Sequence, residues 1–381
     1  MRFSVVASAA VAAFVGFGGT LALIIAAATA LGATQAETAS WVTAISLALA
    51  VSSGYLSWRY RIPIIAAWST PGLALIGASI GFTMQEAVGA FIVTALAIII
   101  TGLIKPVAKF VERIPASIAS GMLAGVLSSF VINAAKTLSL DPMLVLPLIA
   151  LFLIIRLFNP AMAVISVLIG GVIFALLLGR ANNLPTPELS TLTMIIPEFS
   201  LSAMIGLALP LYLVTMASQN LPGFAVLRAA GYEPPTAACL QVTGLVSLIS
   251  APFGAHTSNM AAISAAICTG HDAHPDPKQR WLTGPFYALC YLIFAIFGAS
   301  LVAVFAVLPP ALIMLIAGLG LIGPFINALS LALKNEHERF AAIVTFAVTA
   351  SGITILGIGS AFWALIAGLI VAGSEYLSKY R

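Results

Sequence analysis

The stretch Ser250–Ile263 reads SAPFGAHTSNMAAI, a run of polar and small residues inside an otherwise apolar chain. Its proline and glycine favour an extended or turning backbone. Thr257-Ser258-Asn259 are preferred N-cap residues, so we expect a helix to begin near Ser258. Irregular backbone is tolerated inside a bilayer only where it is buried in protein or lines a cavity. The stretch therefore predicts an extended segment followed by a half-helix at the centre of a membrane protein.

A second stretch of the same design occurs earlier in the chain: Arg61–Gly72, with the sequence RIPIIAAWSTPG. One constant shift aligns three pairs of like residues: Pro63 with Pro252, Ala66 with Ala255, and Ser69 with Ser258. We expect the first half-helix to begin near Ser69 or Thr70. Pro71 then lies in the first helical turn, where its missing N–H costs nothing.

The composition of the chain is that of an integral membrane protein. Of 381 residues, 61% are hydrophobic and 7% are charged, and the mean hydropathy is +1.12, whereas soluble domains carry about 25% charged residues. The three cysteines lie in apolar context and are interpreted as small hydrophobic residues. The net charge of +4 follows from how Lys and Arg are placed by topology. We therefore expect no nucleic-acid partner and no cofactor.

Apolar runs with the length of a membrane crossing recur along the chain. They lie near 3–31, 40–57, 84–104, 116–135, 142–155, 160–179, 200–227, 235–250, 281–308, 309–333, 340–357 and 359–377. The two special segments, 62–80 and 251–268, bring the predicted number of crossings to 14.

The positive charges predict which side of the membrane each loop faces. With the N-terminus inside, only Lys136 and Arg180 of the 16 Lys and Arg residues fall outside, and the cluster Lys105–Arg113 falls inside. We therefore predict an all-α polytopic membrane protein with both termini cytoplasmic and two sets of seven segments joined by Arg180–Glu188. An odd number of segments per half inverts the second half, as in the inverted repeats of secondary transporters.

In this topology, the starts of both half-helices face the bilayer midplane from opposite sides. Helix N-termini carry partial positive charge and free N–H groups, so they can bind an anion without Lys or Arg. A carboxylate fits, and its predicted ligands are Ser69, Thr70, Ser258 and Asn259. The alternative is a pair of proline-kinked helices whose hydroxyls bind their own backbone.

Further substrate contacts are predicted from neighbouring polar and aromatic residues. Gln219 and Asn220 precede Pro222-Gly223, which suggests local unwinding beside the site; alternatively, they mark the inner end of a helix leading to Arg228. The aromatic residues nearest the breaks, Phe17, Trp68 and Phe253, could contact a ring of the substrate.

His256 is the only ionisable residue that this topology places near the midplane. An ionisable residue inside the membrane is a functional hypothesis by default, and histidine changes charge near physiological pH. We therefore predict that His256 couples anion uptake to proton uptake. The alternative is a neutral histidine whose hydrogen bonds fix the extended segment.

The stretch His271–Asp276, HDAHPD, superficially resembles a metal-binding cluster. It lies in a charged loop near Lys278 and Arg280, without a helical frame for its ligands. We expect a structured loop or a helix cap, and no metal. An intramembrane metalloenzyme using His271 and His274 is the alternative from a different class of function.

Together, these motifs resemble the BenE family of benzoate–proton symporters over essentially the full chain. The similarity is carried by four stretches: Ile65–Gly72, Ala217–Gly223, Pro252–Ile263 and His274–Pro277. The resemblance implies a multi-pass carrier of the bacterial inner membrane, with a fold related to uracil permeases and sulfate-type anion permeases. It implies benzoate or a similar aromatic carboxylate and protons as partners, with another small anion or a nucleobase as the alternative substrate.

The resemblance also implies a domain division. A core domain would comprise 1–104 and 198–308, and a gate domain 105–197 and 309–381, with substrate held between segments 3 and 10 beside segment 8. Where the nucleobase branch uses acidic residues, this chain has Gln219, Asn220 and Thr257–Asn259, which suits an anionic substrate. The oligomeric state stays open, a homodimer included.

Overall fold

The computed structural model describes residues 3–18, 20–79, 81–104, 115–159, 162–180, 185–355 and 358–378. The predicted inner basic cluster Lys105–Arg113 lies outside these ranges, as does part of the predicted connection Arg180–Glu188. The helices of the described part, numbered in chain order, are α1 Phe3–Gly18, α2 Leu21–Ala30, α3 Gln35–Tyr60, α4 Thr70–Ala78, α5 Met84–Leu103, α6 Ala116–Leu140, α7 Pro142–Phe158, α8 Ala163–Leu177, α9 Leu201–Arg228, α10 Thr236–Ser250, α11 Ile263–Thr269, α12 Thr283–Ile296, α13 Gly298–Ala306, α14 Pro310–Ala332, α15 Arg339–Ala350 and α16 Ser360–Ser378.

The helices confirm a mostly helical polytopic membrane fold. Within the described ranges, seven helices are long and apolar enough to cross a membrane, or eight if the bent pair Pro277–Ile296 and Gly298–Ala306 is one crossing. Capping boxes begin α3 and α5, where Thr34 and Thr83 exchange hydrogen bonds with Glu37 and Glu86.

Four short strands depart from the all-α prediction. β1 Ala66–Trp68 pairs with β2 Ser258–Met260, and β3 Thr354–Ile355 pairs with β4 Ile358–Gly359. β1 lies in a segment predicted to be extended, whereas β2 occupies residues predicted to begin the second half-helix. The second pair was not predicted, because the apolar run 340–357 was interpreted as a helix throughout. In the structure α15 ends at Ala350, and Gly352 adopts φ +65°, a left-handed conformation typical of a helix end.

Helix α9 contains two π-helical turns, each directly before a proline-containing turn. Met204–Ala208 precedes Pro210, and Met216–Asn220 precedes Pro222. A proline has no N–H and its ring displaces the preceding turn, so a widened turn at this position relieves the clash. The predicted unwinding at Pro222-Gly223 is therefore wrong, since the helix continues and the irregularity lies one turn earlier.

The helices pack in two groups, and the strand pair contacts α3 and α10 of the first. α3 lies along α12 and α13, α1 packs against α12 and α11, and α10 packs against α5. In the second group, α6 packs against α14 and α15, which in turn contacts α16. A Cβ on Gly318 would lie 2.2 Å from the Cβ of Ala134, so a glycine is required where α14 crosses α6.

Candidate functional site

The two special segments meet as an antiparallel strand pair in the protein interior. Its register pairs Ala66 with Met260, Ala67 with Asn259, and Trp68 with Ser258. Ala261 N–H continues the pairing by donating to Ile65 O at 2.8 Å. The extended backbone therefore satisfies its hydrogen bonds across the two segments, as a non-helical chain within a membrane must.

The half-helix α4 begins as the sequence predicts. Ser69 is its N-cap, and Ser69 Oγ accepts a hydrogen bond from Gly72 N–H at 3.0 Å. Ser69 Oγ also accepts from the hydroxyl of Thr215 on α9 at 3.0 Å. A Cβ on Gly72 would lie 2.7 Å from Leu211 Cδ1, so the first turn of α4 is pressed closely against α9.

The second half-helix does not begin near Ser258, which corrects the prediction. α11 begins at Ile263, and its N-cap, Ala262, offers no side-chain cap. Ser258 and Asn259 lie in strand β2 because they pair with β1. The structure therefore places Ser258 opposite Trp68, at one end of the strand pair. Its equivalent position in β1 is Ala66, at the start of that strand, rather than Ser69.

The polar groups of β2 are bound by neighbouring helices. Ser258 N–H donates to Ser247 Oγ at 2.8 Å, and its hydroxyl shares a 3.1 Å hydrogen bond with Ser52. Asn259 Nδ2 donates to the carbonyl and the hydroxyl oxygen of Thr257, at 2.8 Å and 3.0 Å. Thr257, Ser258 and Asn259 are all fully buried. Their side chains are engaged in the hydrogen bonds that hold β2 in place.

Gln219 and Asn220 bind the free edge of β2. Asn220 Oδ1 accepts from Met260 N–H at 2.9 Å, and its Nδ2 donates to Asn259 Oδ1 at 3.3 Å. Gln219 Nε2 donates to Met260 O at 3.2 Å. The π turn of α9 thus presents two amides that complete the backbone bonding of the strand. A direct contact of either residue with substrate stays a prediction.

His256 lies buried between α3 and the start of α4. Its Nδ1 accepts a hydrogen bond from Trp41 Nε1 at 3.0 Å. Its Nε2 is close to the main chain of Ser69, yet it has no partner at hydrogen-bonding geometry in the described part of the chain. Sequence reasoning missed Trp41, because nothing in its apolar helix distinguishes it from a packing residue.

Two of the predicted aromatic residues belong to one cluster. The Phe17 and Trp68 rings lie 5.4 Å apart, and both contact Tyr291, at 6.3 Å and 5.9 Å between centroids. Phe294 completes the cluster, 4.3 Å from Phe17. Phe253 lies elsewhere, in a turn at the end of α10 where its carbonyl accepts from Ser40 Oγ at 2.9 Å. Sequence reasoning did not identify Tyr291 and Phe294, because they are distant from Phe17 and Trp68 in the chain.

Three hydroxyls converge beside this cluster. A Cβ on Gly16 would lie 3.2 Å from Tyr291 Oη, 3.3 Å from Ser264 Oγ and 3.8 Å from Tyr287 Oη. Both tyrosines are fully buried, and neither phenol oxygen has a partner within the described residues. The cluster adds polar groups next to the aromatic rings that sequence reasoning did not identify.

Part of the site surface remains accessible. Ala67, Thr70, Gln219 and Ala262 keep intermediate exposure, and Ile263 is 65% exposed. These residues come from β1, α4, α9 and the start of α11. The first turn of α4 is therefore partly exposed at Thr70, whereas Ser69 itself is fully buried.

The loop with His271 and His274 is held by Arg280. Its guanidinium donates to Thr269 O, the last residue of α11, and to His274 O, both at 2.7 Å. His274 Nδ1 accepts from Asp276 N–H at 3.0 Å. Among the residues described, no three His, Cys, Asp or Glu side chains are grouped as a metal site. The arrangement is that of a capped loop at the end of the half-helix.

The fold defines a class of protein: mostly helical polytopic membrane proteins, a fold that two solved structures share. The transmembrane domain of a cyanobacterium bicarbonate transporter, BicA, has a TM-score of 0.64 at 16% identity, covering 97% of this chain and 98% of that one. SLC26A9 has a TM-score of 0.62 at 12% identity, covering 98% of this chain and 65% of that one. At these identities the likeness concerns the fold alone.

The chain belongs to the BenE family, described as benzoate membrane transport proteins, which it matches over residues 1–373. It is 42% identical over 359 residues to the inner membrane protein YdcO of Escherichia coli, covering 94% of this chain and 92% of that protein. It is 34% identical over 361 residues to the benzoate membrane transport protein of Acinetobacter baylyi, with the same coverage of each chain. The family is one of membrane transport proteins, which decides against the enzyme alternative.

Proposed function

We propose that this protein is a secondary transporter that imports benzoate, or a similar aromatic monocarboxylate, together with protons. The observation that carries the proposal is the first turn of α4. Ser69 caps it, Thr70 leaves it accessible, and Trp68 and Phe17 form an aromatic cluster directly before it. In a member of a benzoate transport family, this combination suits a ligand with one carboxylate and one ring.

The carboxylate would bind at the start of α4. The N-terminus of a helix carries about half a positive charge and unpaired N–H groups. Thr70 adds a hydroxyl on the accessible side. Ser69 Oγ accepts hydrogen bonds from Gly72 N–H and from the Thr215 hydroxyl, which leaves its own proton to donate. Because α11 begins without a side-chain cap, we assign the larger share of carboxylate binding to α4, with Ser258 and Asn259 holding the strand beneath it.

The ring of the substrate would contact the cluster of Phe17, Trp68, Tyr291 and Phe294. These rings lie 4.3–6.3 Å apart in tilted and edge-on arrangements, which are the geometries that aromatic groups prefer. Phe17 and Trp68 are almost fully buried. A substrate ring would therefore stack on the accessible edge of the cluster rather than enter its centre.

The coupled proton would be carried by His256. It is fully buried and lies beside the main chain of the capping residue Ser69. A protonated imidazole would place positive charge behind the carboxylate site, so proton binding and anion binding would favour each other by linkage. The alternative role, a neutral histidine that fixes the segment before β2, predicts substrate binding without this reciprocity.

Alternating access would come from a core domain (1–104 and 198–308) moving against a gate domain (105–197 and 309–381). The chain would cross the membrane in 14 segments, arranged as two inverted sets of seven, with both termini inside. The antiparallel pairing of β1 with β2 supports the inversion, because segments that enter from opposite sides run in opposite directions. The two groups of helices described above follow the same division.

The test is uptake by purified protein in liposomes with an acidic exterior. Labelled benzoate should accumulate, and accumulation should collapse when a protonophore removes the gradient. Benzamide lacks the charge, so weak competition by benzamide would show that the site binds the carboxylate. Cyclohexanecarboxylate lacks the aromatic ring, so weak competition by it would show that the site binds the ring. Accumulation of bicarbonate or a nucleobase in place of benzoate would refute the substrate assignment, and accumulation indifferent to the gradient would refute proton coupling.

A further inference from the structure

The hydrogen bond between Trp41 and His256 determines where the histidine can take up a proton. Trp41 Nε1 donates to His256 Nδ1 at 3.0 Å, and both residues are fully buried. An indole N–H is a donor only, so Nδ1 must be the accepting nitrogen. A neutral imidazole then carries its hydrogen on Nε2.

The other side of the ring faces the carboxylate site. His256 Nε2 lies beside the main chain of Ser69, the N-cap of α4, without reaching hydrogen-bonding geometry to any described acceptor. The ring therefore connects α3, through Trp41, with the first turn of the half-helix.

We propose that Trp41 is a positioning residue that controls proton uptake by His256. The lone pair of Nδ1 is the only basic site on the neutral ring, and the indole N–H occupies it. A proton can bind Nδ1 only after Trp41 has moved away, because two N–H groups cannot share one position. Protonation of His256 therefore requires its separation from Trp41. The inference rests on the proposed role of His256 in proton coupling.

Few other ionisable groups compete for this role. Phe91 packs against both rings, 5.6 Å from Trp41 and 6.4 Å from His256. The titratable groups described on the packed helices lie towards helix ends: Glu37, Tyr55, Arg59 and Tyr60 on α3, Glu86 on α5, and Cys239 on α10. Glu37 and Glu86 are engaged in their capping boxes.

The transport test compares Trp41→Phe with Phe91→Leu in liposomes. Trp41→Phe keeps a ring but removes the N–H, which favours the protonated histidine. The pH of half-maximal benzoate uptake should therefore rise by about 0.5–1 unit, the equivalent of one buried neutral hydrogen bond. Phe91→Leu disturbs the same packing without touching the bond and should leave that pH unchanged. An unshifted profile in Trp41→Phe with intact benzoate exchange, or an equal shift in Phe91→Leu, would overturn the proposal.

A second measurement does not depend on transport. Nitrogen-15 NMR of histidine-labelled full-length protein, with His256→Gln to identify the resonances, reports the tautomer. The expected result is hydrogen on Nε2 at neutral pH, and a shift of the Trp41 indole resonance in step with protonation of His256 on acidification. Hydrogen on Nδ1, or an indole that does not respond, refutes the proposal even if Trp41→Phe fails to fold. Failure of proton-driven uptake with the expected spectrum would instead refute the proposed function alone.

Discussion

Replacing Asn220 by alanine tests how strongly α9 holds the strand pair. The substitution removes the acceptor of Met260 N–H and the donor to Asn259 Oδ1. Both partners are fully buried, so water cannot readily replace the lost amide. Gln219→Ala is the matched control, because Gln219 lies next along the same π turn, is half-buried and donates one bond to the same strand.

The expected losses differ because the two variants leave different groups unpaired. A buried N–H without a partner costs about 1–3 kcal/mol. Side-chain hydrogen bonds between membrane helices average about 0.6 kcal/mol, which covers the second bond of Asn220. Asn220→Ala should therefore lower the free energy of unfolding by about 2–4 kcal/mol. Gln219→Ala removes a single hydrogen bond to a carbonyl oxygen, donated by a side chain that is itself half-buried, and should cost about 0.5–1 kcal/mol.

The assay is reversible SDS unfolding of both variants in mixed micelles, followed by intrinsic fluorescence. Benzoate exchange in liposomes is measured alongside at a temperature where both variants are folded. We expect Asn220→Ala to show the larger loss in both measurements. Equal losses in the two variants, or a neutral Asn220→Ala, would mean that the amide does not hold β2 and that the reasoning is wrong.

Two further predictions concern the ends of the half-helices. Gly72→Ala should lower the free energy of unfolding by about 1–3 kcal/mol through overpacking, since its Cβ would meet Leu211 and Ser69. The control is Gly373→Ala in α16, where an added Cβ would have no atom within 4 Å. It should be neutral or stabilising in the same SDS titration. Arg280→Lys keeps the positive charge but loses the planar guanidinium that bonds two carbonyl oxygens at once. Amide hydrogen exchange in residues 269–276 should therefore increase. The control Lys278→Ala should leave that exchange unchanged. Unaltered exchange in Arg280→Lys would contradict the capping role of the guanidinium.

Much of the first half of the site could be predicted from local sequence. Ser69-Thr70-Pro71 combines an N-cap residue with a proline in the first turn, and both signals depend only on neighbouring residues. The same reasoning was wrong for Thr257-Ser258-Asn259. These residues are equally good N-caps, but pairing with β1 keeps them extended, and a single segment contains no signal for a partner in the other half of the chain.

The contacts that organise the site were less accessible to sequence reasoning. Asn220 was predicted to contact substrate, yet its amide accepts a hydrogen bond from Met260 N–H and donates one to the side chain of Asn259. The π turn that brings the amide to β2 lies directly before the turn that contains Pro222, and the sequence shows only the proline. Trp41 and Tyr291 lie in ordinary apolar helices, and only the folded arrangement brings them to His256 and Trp68. Aromatic residues in a chain that is 61% hydrophobic are too common for their position to predict a role.

The strand pair also has a consequence for biogenesis. Ala66–Trp68 is synthesised long before Ser258–Met260, so the first segment leaves the ribosome without the partner that satisfies its backbone. At a translation rate of 5–20 residues per second, the delay is roughly 10–40 s. During that time the segment must wait in the translocon, at the membrane surface or beside a chaperone. Synthesis of the second half is thus needed to complete the insertion of the first.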